Sequence, residues 1–317
     1  RPVRGALAQL YVEQKRLPEA RAIFEALAAE EPDVREYAMG VAILSFQMKD
    51  WKSAEAQFTK LAAKGDDGTA QLYLAQIAEE TKRYDVAIAR YKAVADGDRA
   101  WLAKLRVASL LGKLNRVDEG RRWLADLPAV TIDQRIQVRQ AEASLLREAG
   151  DLPGAYAVLE QGLAEFPDAP DLIYDSAMLA EKLDKLDVAE ARLKRLVELK
   201  PDDAQALNAL GYTLVDRTSR AEEGRALIER ALKLAPDDPF ILDSMGWALF
   251  KLGRYDEALD YLGRAFAGRP DAEIAAHLGE VLWVKGEKTR AKEIWAAQLR
   301  DSPDHPVLLE TMRRLSR

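Results

Sequence analysis

No cysteine occurs anywhere in the 317 residues. That excludes a disulfide framework and a thiolate metal site, and it fits a cytoplasmic or a periplasmic setting equally well. Histidine is nearly as scarce. His277 and His305 are the only two, and neither belongs to an H-E-x-x-H helix or a Cys/His cluster. His277 falls in a helix and reads as an ordinary solvated or capped side chain. The glycine patterns that cradle nucleotides, G-x-G-x-x-G and G-x-x-x-x-G-K-[ST], are missing, and so is the G-x-S-x-G of a hydrolase elbow. Carboxylates abound, but as on any solvated helix, so pairs of them carry no catalytic signal. We therefore assign no catalytic residue, no metal site and no cofactor, and expect a protein that is not an enzyme.

Long apolar runs are lacking too. The longest uncharged, apolar-rich stretch, 37–48, is too short to span a bilayer. An excess of positive charge is absent: the net charge is −6, which argues against the basic face of a duplex nucleic-acid binder. The chain begins at Arg1 rather than Met and reads as a fragment or a processed form, with any targeting segment upstream.

What the chain does have is a period. Pro-Asp pairs stand at 32–33, 167–168, 201–202, 236–237, 270–271 and 303–304. The last five prolines are 34, 35, 34 and 33 residues apart, and the 135 residues from Pro32 to Pro167 make about four such periods. A period near 34 marks an array of helix pairs, in which each repeat packs on its neighbours and no single core forms. Between Asp237 and Pro270 the grammar is plain. An Asp at 237 or 238 caps a helix start. Leu242, Met245, Leu249 and Leu252 recur at helical spacing, and Gly253-Arg254 breaks the helix. Ala258, Leu259, Leu262 and Phe266 then form a second stripe that Pro270 ends. Gly246 lies mid-helix, where glycine costs about 1 kcal/mol relative to alanine; a second helix passing too close for a side chain would account for it. Gly211 and Gly279 hold the same place in the adjoining repeats.

The pattern repeats nine times. Ala20 and Phe24, Ala54 and Phe58, Ala87 and Tyr91, Gly120 and Leu124, Ala155 and Leu159, and Ala189 and Leu193 keep phase through the degenerate middle. Gly/Asp turns at 64–68 and 96–98 replace the missing prolines, and the turn at 217–220 holds one extra residue. The register stretches at 127–133, the expected kink between two sub-arrays, 1–130 and 131–303. A last helix after Pro303, capped by Asp304 with Pro306 in its first turn, closes the array. Its stripe is Leu308, Leu309, Met312 and Leu315, with Arg313, Arg314 and Arg317 facing out. Nothing comparable shields the N-terminal end. The expected fold is all-α, with 19 helices.

These residues resemble the tetratricopeptide repeat, whose pattern is W-x2-L-G-x2-Y, then A-x3-F, then P. The resemblance covers nearly the whole chain and implies a right-handed superhelix. It also implies that the first helix of each repeat lines a concave groove. Exposed groove positions in the C-terminal repeats are then Tyr174, Asn208, Tyr212, Phe240, Asp243, Trp247 and Trp283, with Asp216 beside them. Tyr174, Tyr212, Trp247 and Trp283 would form an aromatic track, and the acidic neighbours would favour a basic or amide-rich partner segment. For Trp247 and Trp283 a second reading stands open, as fillers between successive helices. Trp295 and Phe24 occupy the inter-helix position. Chaperone-binding members grip a terminal carboxylate with Lys and Asn. Here Asn208 has Asp175 and Asp243 as neighbours, which argues against that ligand.

The segments 210–216 and 242–247 look like those of proteobacterial outer-membrane tetratricopeptide lipoproteins that bind and activate a carboxyl-terminal processing protease. That resemblance implies a periplasmic adaptor that holds the protease and presents cell-wall hydrolases as its substrates. Membrane attachment would come only through a lipid anchor upstream of Arg1. Two alternatives are a peptide-binding scaffold in envelope assembly, such as secretion or lipopolysaccharide control, and the regulatory arm of an enzyme. A cytoplasmic location is the alternative setting.

Overall fold

The computed structural model describes residues 2–65, 68–94 and 98–315, and the side chains of Pro2 and Asp98 are left aside. The expected turn residues Asp66, Asp67, Asp96 and Gly97, and Arg317 of the last helix, lie outside the described residues. Among the described residues there are 19 helices and no strand, as the repeat grammar requires. The first pairs are α1 (Pro2–Glu13) with α2 (Leu17–Glu30), α3 (Arg35–Gln47) with α4 (Trp51–Ala63), α5 (Thr69–Glu80) with α6 (Tyr84–Lys92), and α7 (Asp98–Lys113) with α8 (Val117–Ala125). Next come α9 (Ile132–Glu148), α10 (Leu152–Glu165), α11 (Pro170–Lys182), α12 (Leu186–Leu199), α13 (Ala204–Arg217) and α14 (Ala221–Leu234). The array ends with α15 (Pro239–Lys251), α16 (Tyr255–Gly268), α17 (Ala272–Val284), α18 (Lys288–Asp301) and the single α19 (Pro306–Leu315).

Local chemistry sets the helix starts. Asp203, Asp238 and Asp271 each accept hydrogen bonds from first-turn amides of α13, α15 and α17, filling the role of an N-cap. The cap of α15 is thus Asp238, not Asp237, with Pro239 in the first turn where its missing N–H costs nothing. Since α19 starts at Pro306, the residue at its cap position is His305 rather than Asp304. Within most pairs the turn needs one residue in the left-handed region. Lys15, Lys49, Lys82, Asn115 and Asp184 hold it at φ 57 to 59°, and Gly150, Gly253 and Gly286 hold it elsewhere. The turn with the extra residue departs from this scheme. Thr218 is extended there, its hydroxyl donating to the Leu214 carbonyl and accepting from the Arg220 amide.

The chain divides into two compact units, 1–158 and 159–317, with the division inside α10. The stretch 127–133 lies within the first unit, as the connection from α8 to α9. A capping box closes it, Thr131 accepting from the Gln134 amide and the Gln134 side chain accepting from the Thr131 amide.

In the first unit the degenerate repeats still keep their core. Ala42, Ala54, Phe58, Leu61, Leu74 and Ile77 form one cluster, with Tyr73 stacked on Phe58 at 4.5 Å. Ala87, Tyr91, Val107, Leu110 and Leu111 belong to the next. Trp51 and Trp123 pack at the edges of these clusters. Ion pairs such as Arg83–Glu55 and Arg116–Asp85 tie neighbouring repeats together.

The second unit has the fuller core. Leu207, Ile228, Ile241, Met245, Trp247, Leu262, Leu282, Trp295 and Leu308 fall in one cluster. At the small positions the helices nearly touch. A Cβ on Gly211 would stand 2.7 Å from the Gly224 carbonyl oxygen, and one on Gly246 would stand 2.5 Å from Leu262 Cγ. The Trp295 ring lies against Gly279 in the same way. These three glycines are buried at close crossings, as their mid-helix positions implied.

Candidate functional site

The second unit carries an open cleft of about 390 Å³ across α11, α13 and the starts of α15 and α17. Tyr174 and Met178 of α11, Asn208 and Tyr212 of α13, and Phe240 and Asp243 of α15 line it, with Glu273 at the start of α17. The repeat builds this wall because residues one period apart occupy equivalent places on successive first helices. Tyr174 and Phe240 are exposed, at 37% and 47%. Arg269 covers one face of Phe240, 4.9 Å from the ring centre. Of the eight residues expected to bind a partner, five therefore meet in one cleft: Tyr174, Asn208, Tyr212, Phe240 and Asp243.

The other three do not line the cleft, and the expected aromatic track is broken. Trp247 is only 6% exposed, so it is not the solvated groove residue that its position suggested. Its ring stacks on His277 at 4.2 Å and lies 5.0 Å from Phe250, and its Nε1 donates to Asp216 at 2.9 Å. The filler reading holds for Trp247. Asp216 accepts from that tryptophan. Trp283 is half-buried against Trp295 at 5.7 Å, with Lys288 at 4.9 Å from its ring. Trp295 itself is wholly buried, as expected.

Of the two readings of His277, solvated or capped, the solvated one fails: the side chain is buried and partnered. Its Nδ1 lies 3.0 Å from both carboxylate oxygens of Asp243, and its Nε2 lies 3.4 Å from the Tyr212 hydroxyl. Burial alone would push the imidazole pKa down. The Asp243 charge and hydrogen bond, with Glu273 and Asp216 further off, outweigh burial and raise it above the ordinary histidine value. Asp243 and His277 are 34 residues apart, one repeat, so the phase that identified the repeat already superimposed the two positions. The pair links α15 to α17, and Tyr212 extends it to α13, directly beneath the cleft.

The arrangement holds these groups in place by mutual hydrogen bonds and stacking. Among the described residues no cluster of three or more His, Asp or Glu could hold a metal ion. Asp238 and Asp271 are engaged as helix caps, Asp243 by His277, and Glu181 accepts from the Thr213 hydroxyl at 3.0 Å. Burial, with Asp216, Glu273, Asp243 and Glu181 nearby, holds the Tyr212 phenol far above the usual tyrosine value, so it stays a neutral donor.

An array of helix pairs with an aromatic cleft is the architecture of a protein-interaction scaffold. Two family models, both described as tetratricopeptide repeat, match residues 1–44 with 146–211, and 42–101 with 244–306. This chain belongs to the tetratricopeptide repeat family. A TPR repeat-containing protein of Pseudomonas aeruginosa, PA4667, is 39% identical over 211 residues, which is 67% of this chain. The match covers 36% of that relative's length, about a third. The crystal structure of a tetratricopeptide repeat protein from Parabacteroides merdae superimposes with a TM-score of 0.60 at 15% identity, covering 80% of this chain and all of that one. The structure of the APC/C hetero-tetramer Cut9-Hcn1 gives 0.54 at 16% identity over 94% of this chain and 59% of the other. These likenesses establish the helical repeat fold.

Proposed function

We propose that this protein is a non-catalytic adaptor of the bacterial envelope, which binds and activates a carboxyl-terminal processing protease and presents cell-wall hydrolases to it. The observation that carries the reading is the cleft of the second unit. It gathers Tyr174, Asn208, Tyr212 and Phe240 on rigid helices with no reactive group beside them. Aromatic side chains of this kind anchor protein partners, because they bury a large area with few rotors to freeze. The choice of protease rests on the resemblance of 210–216 and 242–247 to envelope lipoproteins with that role. A periplasmic location, with an anchor upstream of Arg1, belongs to the same proposal.

Reconstitution tests it. The purified chain alone should cleave nothing. Added to the carboxyl-terminal processing protease of the source cell, it should bind and speed cleavage of a cell-wall hydrolase. No change in the cleavage rate at saturating adaptor would refute the protease reading.

A further inference from the structure

The cleft has a one-sided charge. Among the residues that line it there is no Lys or Arg, while Glu181, Asp238, Asp243, Asp271 and Glu273 all border it; Arg269, outside the lining, is held over the Phe240 ring. The bias extends along the helices that build the wall. In α11, α13 and α15 the single basic residue is the last of the helix, Lys182, Arg217 or Lys251, and α17 has neither Lys nor Arg. Two of those cations are engaged: Arg217 pairs with Asp184 at 2.7 Å, and Lys251 lies over the Trp247 ring at 5.0 Å.

Not every carboxylate is free to act on a ligand. Asp238 and Asp271 are spent on helix caps, and Asp243 faces His277. Glu273 is exposed and makes no ion pair among the described residues. A second, independent feature points the same way. Asn208 Oδ1 is buried, lies in the lining of the cleft and has no hydrogen-bond partner among the described residues. An orphaned acceptor of that kind calls for a donor from outside. Beside it stand Tyr174, Tyr212, Met178 and Phe240, an apolar wall that suits a hydrocarbon stem.

We propose that this cleft takes a lysine or arginine side chain from an extended segment of the partner protein. The aliphatic stem lies along the aromatic wall, and the cationic head donates to Glu273 and to Asn208 Oδ1. Lysine and arginine are donors only, so they match acceptors and carboxylates without leaving a lone pair unmet. Cation–π attraction to Tyr174 adds to the contact. This rests on the adaptor reading for the site itself, and it specifies the chemistry of the occupant.

The test uses the whole chain and a positional library of octapeptides, acetylated and amidated so that no terminal charge contributes, read by fluorescence polarisation. One position should prefer Lys or Arg over Ala by about tenfold or more, the range of a charge-assisted hydrogen bond. Acetylating that lysine should abolish the preference, and raising the salt concentration should weaken binding. Glu273→Gln and Asn208→Ala should each reduce the preference, with circular dichroism and melting temperature unchanged in the Glu273 variant because that side chain is exposed. Equal binding of Lys, Ala and Glu peptides, a preference that survives both substitutions, or no binding of any peptide overturns the inference. The adaptor reading fails on a different result, an unchanged cleavage rate when the chain is added to the protease at saturation, so the two can be told apart.

Discussion

Trp247 shows how burial changes the meaning of a residue. Its ring is enclosed by His277 and Phe250, and its indole N–H is satisfied by Asp216. Truncating a large buried aromatic removes its contacts and leaves a cavity, so Trp247→Ala should cost about 3–5 kcal/mol in chemical denaturation. Any loss of partner binding should follow from that destabilisation. His277 gives a pH dependence at the same scale. Its folded pKa is raised above the ordinary value, so the folded state holds the proton more tightly than the unfolded chain. The stabilisation is fully present below the ordinary histidine value, about 6.5, and is lost as pH rises through the folded value. The melting temperature should fall across that window, and His277→Gln should flatten the fall. A wild-type melting temperature that rises over the same window would contradict the assignment. Sequence could place His277 and Asp243 one period apart, but nothing in a period states which face of a helix is sealed by its neighbours. That is why the sequence left Trp247 open between groove and filler, and His277 between solvated and capped.

At the scale of the helix, most of the structure was legible. Asp caps, glycines at crossings and prolines after second helices are local signals, and together with the phase of the small residues they account for the 19 helices among the described residues. The fully buried Ala20, Ala54, Ala87, Ala155, Ala189, Ala258 and Ala291 show why the phase survives where the rest of the pattern is lost: that position admits only a small side chain. Gly246→Leu would drive a branched side chain into Leu262 and the Ala258 carbonyl, and should cost about 1–3 kcal/mol. An unchanged unfolding midpoint would mean that the crossing is looser than the geometry shows. The turns offer the opposite effect. Lys82 sits at φ 59°, where a Cβ is strained by about 1–2 kcal/mol, so Lys82→Gly should stabilise the chain once glycine's extra freedom in the unfolded state is deducted. The expected gain is about 0.5–1 kcal/mol, read as a higher denaturant midpoint. The left-handed turn was not visible beforehand at Lys15, Lys49 or Lys82, because lysine is not a residue that signals it.

For the whole molecule, each compact unit carries its own clusters of core residues, and the cleft belongs wholly to the second. Function was legible as a class, since the repeat pattern that marks the family also marks an interaction scaffold. Five of the eight expected binding residues converge because groove positions are set by the repeat period. The other three do not join the cleft: Trp247 is enclosed by His277 and Phe250, Asp216 accepts from that tryptophan, and Trp283 packs on Trp295. The most direct measurement is the affinity of the carboxyl-terminal processing protease for the wild-type chain and for a Tyr174→Ala, Phe240→Ala variant, by calorimetry, with melting temperatures in parallel. Both side chains are exposed, so the account expects the melting temperature to hold while affinity falls by about 2 kcal/mol or more, the range of a binding hot spot. Full affinity in a folded variant would contradict it, and the second-unit cleft would not be where this protein holds its partner.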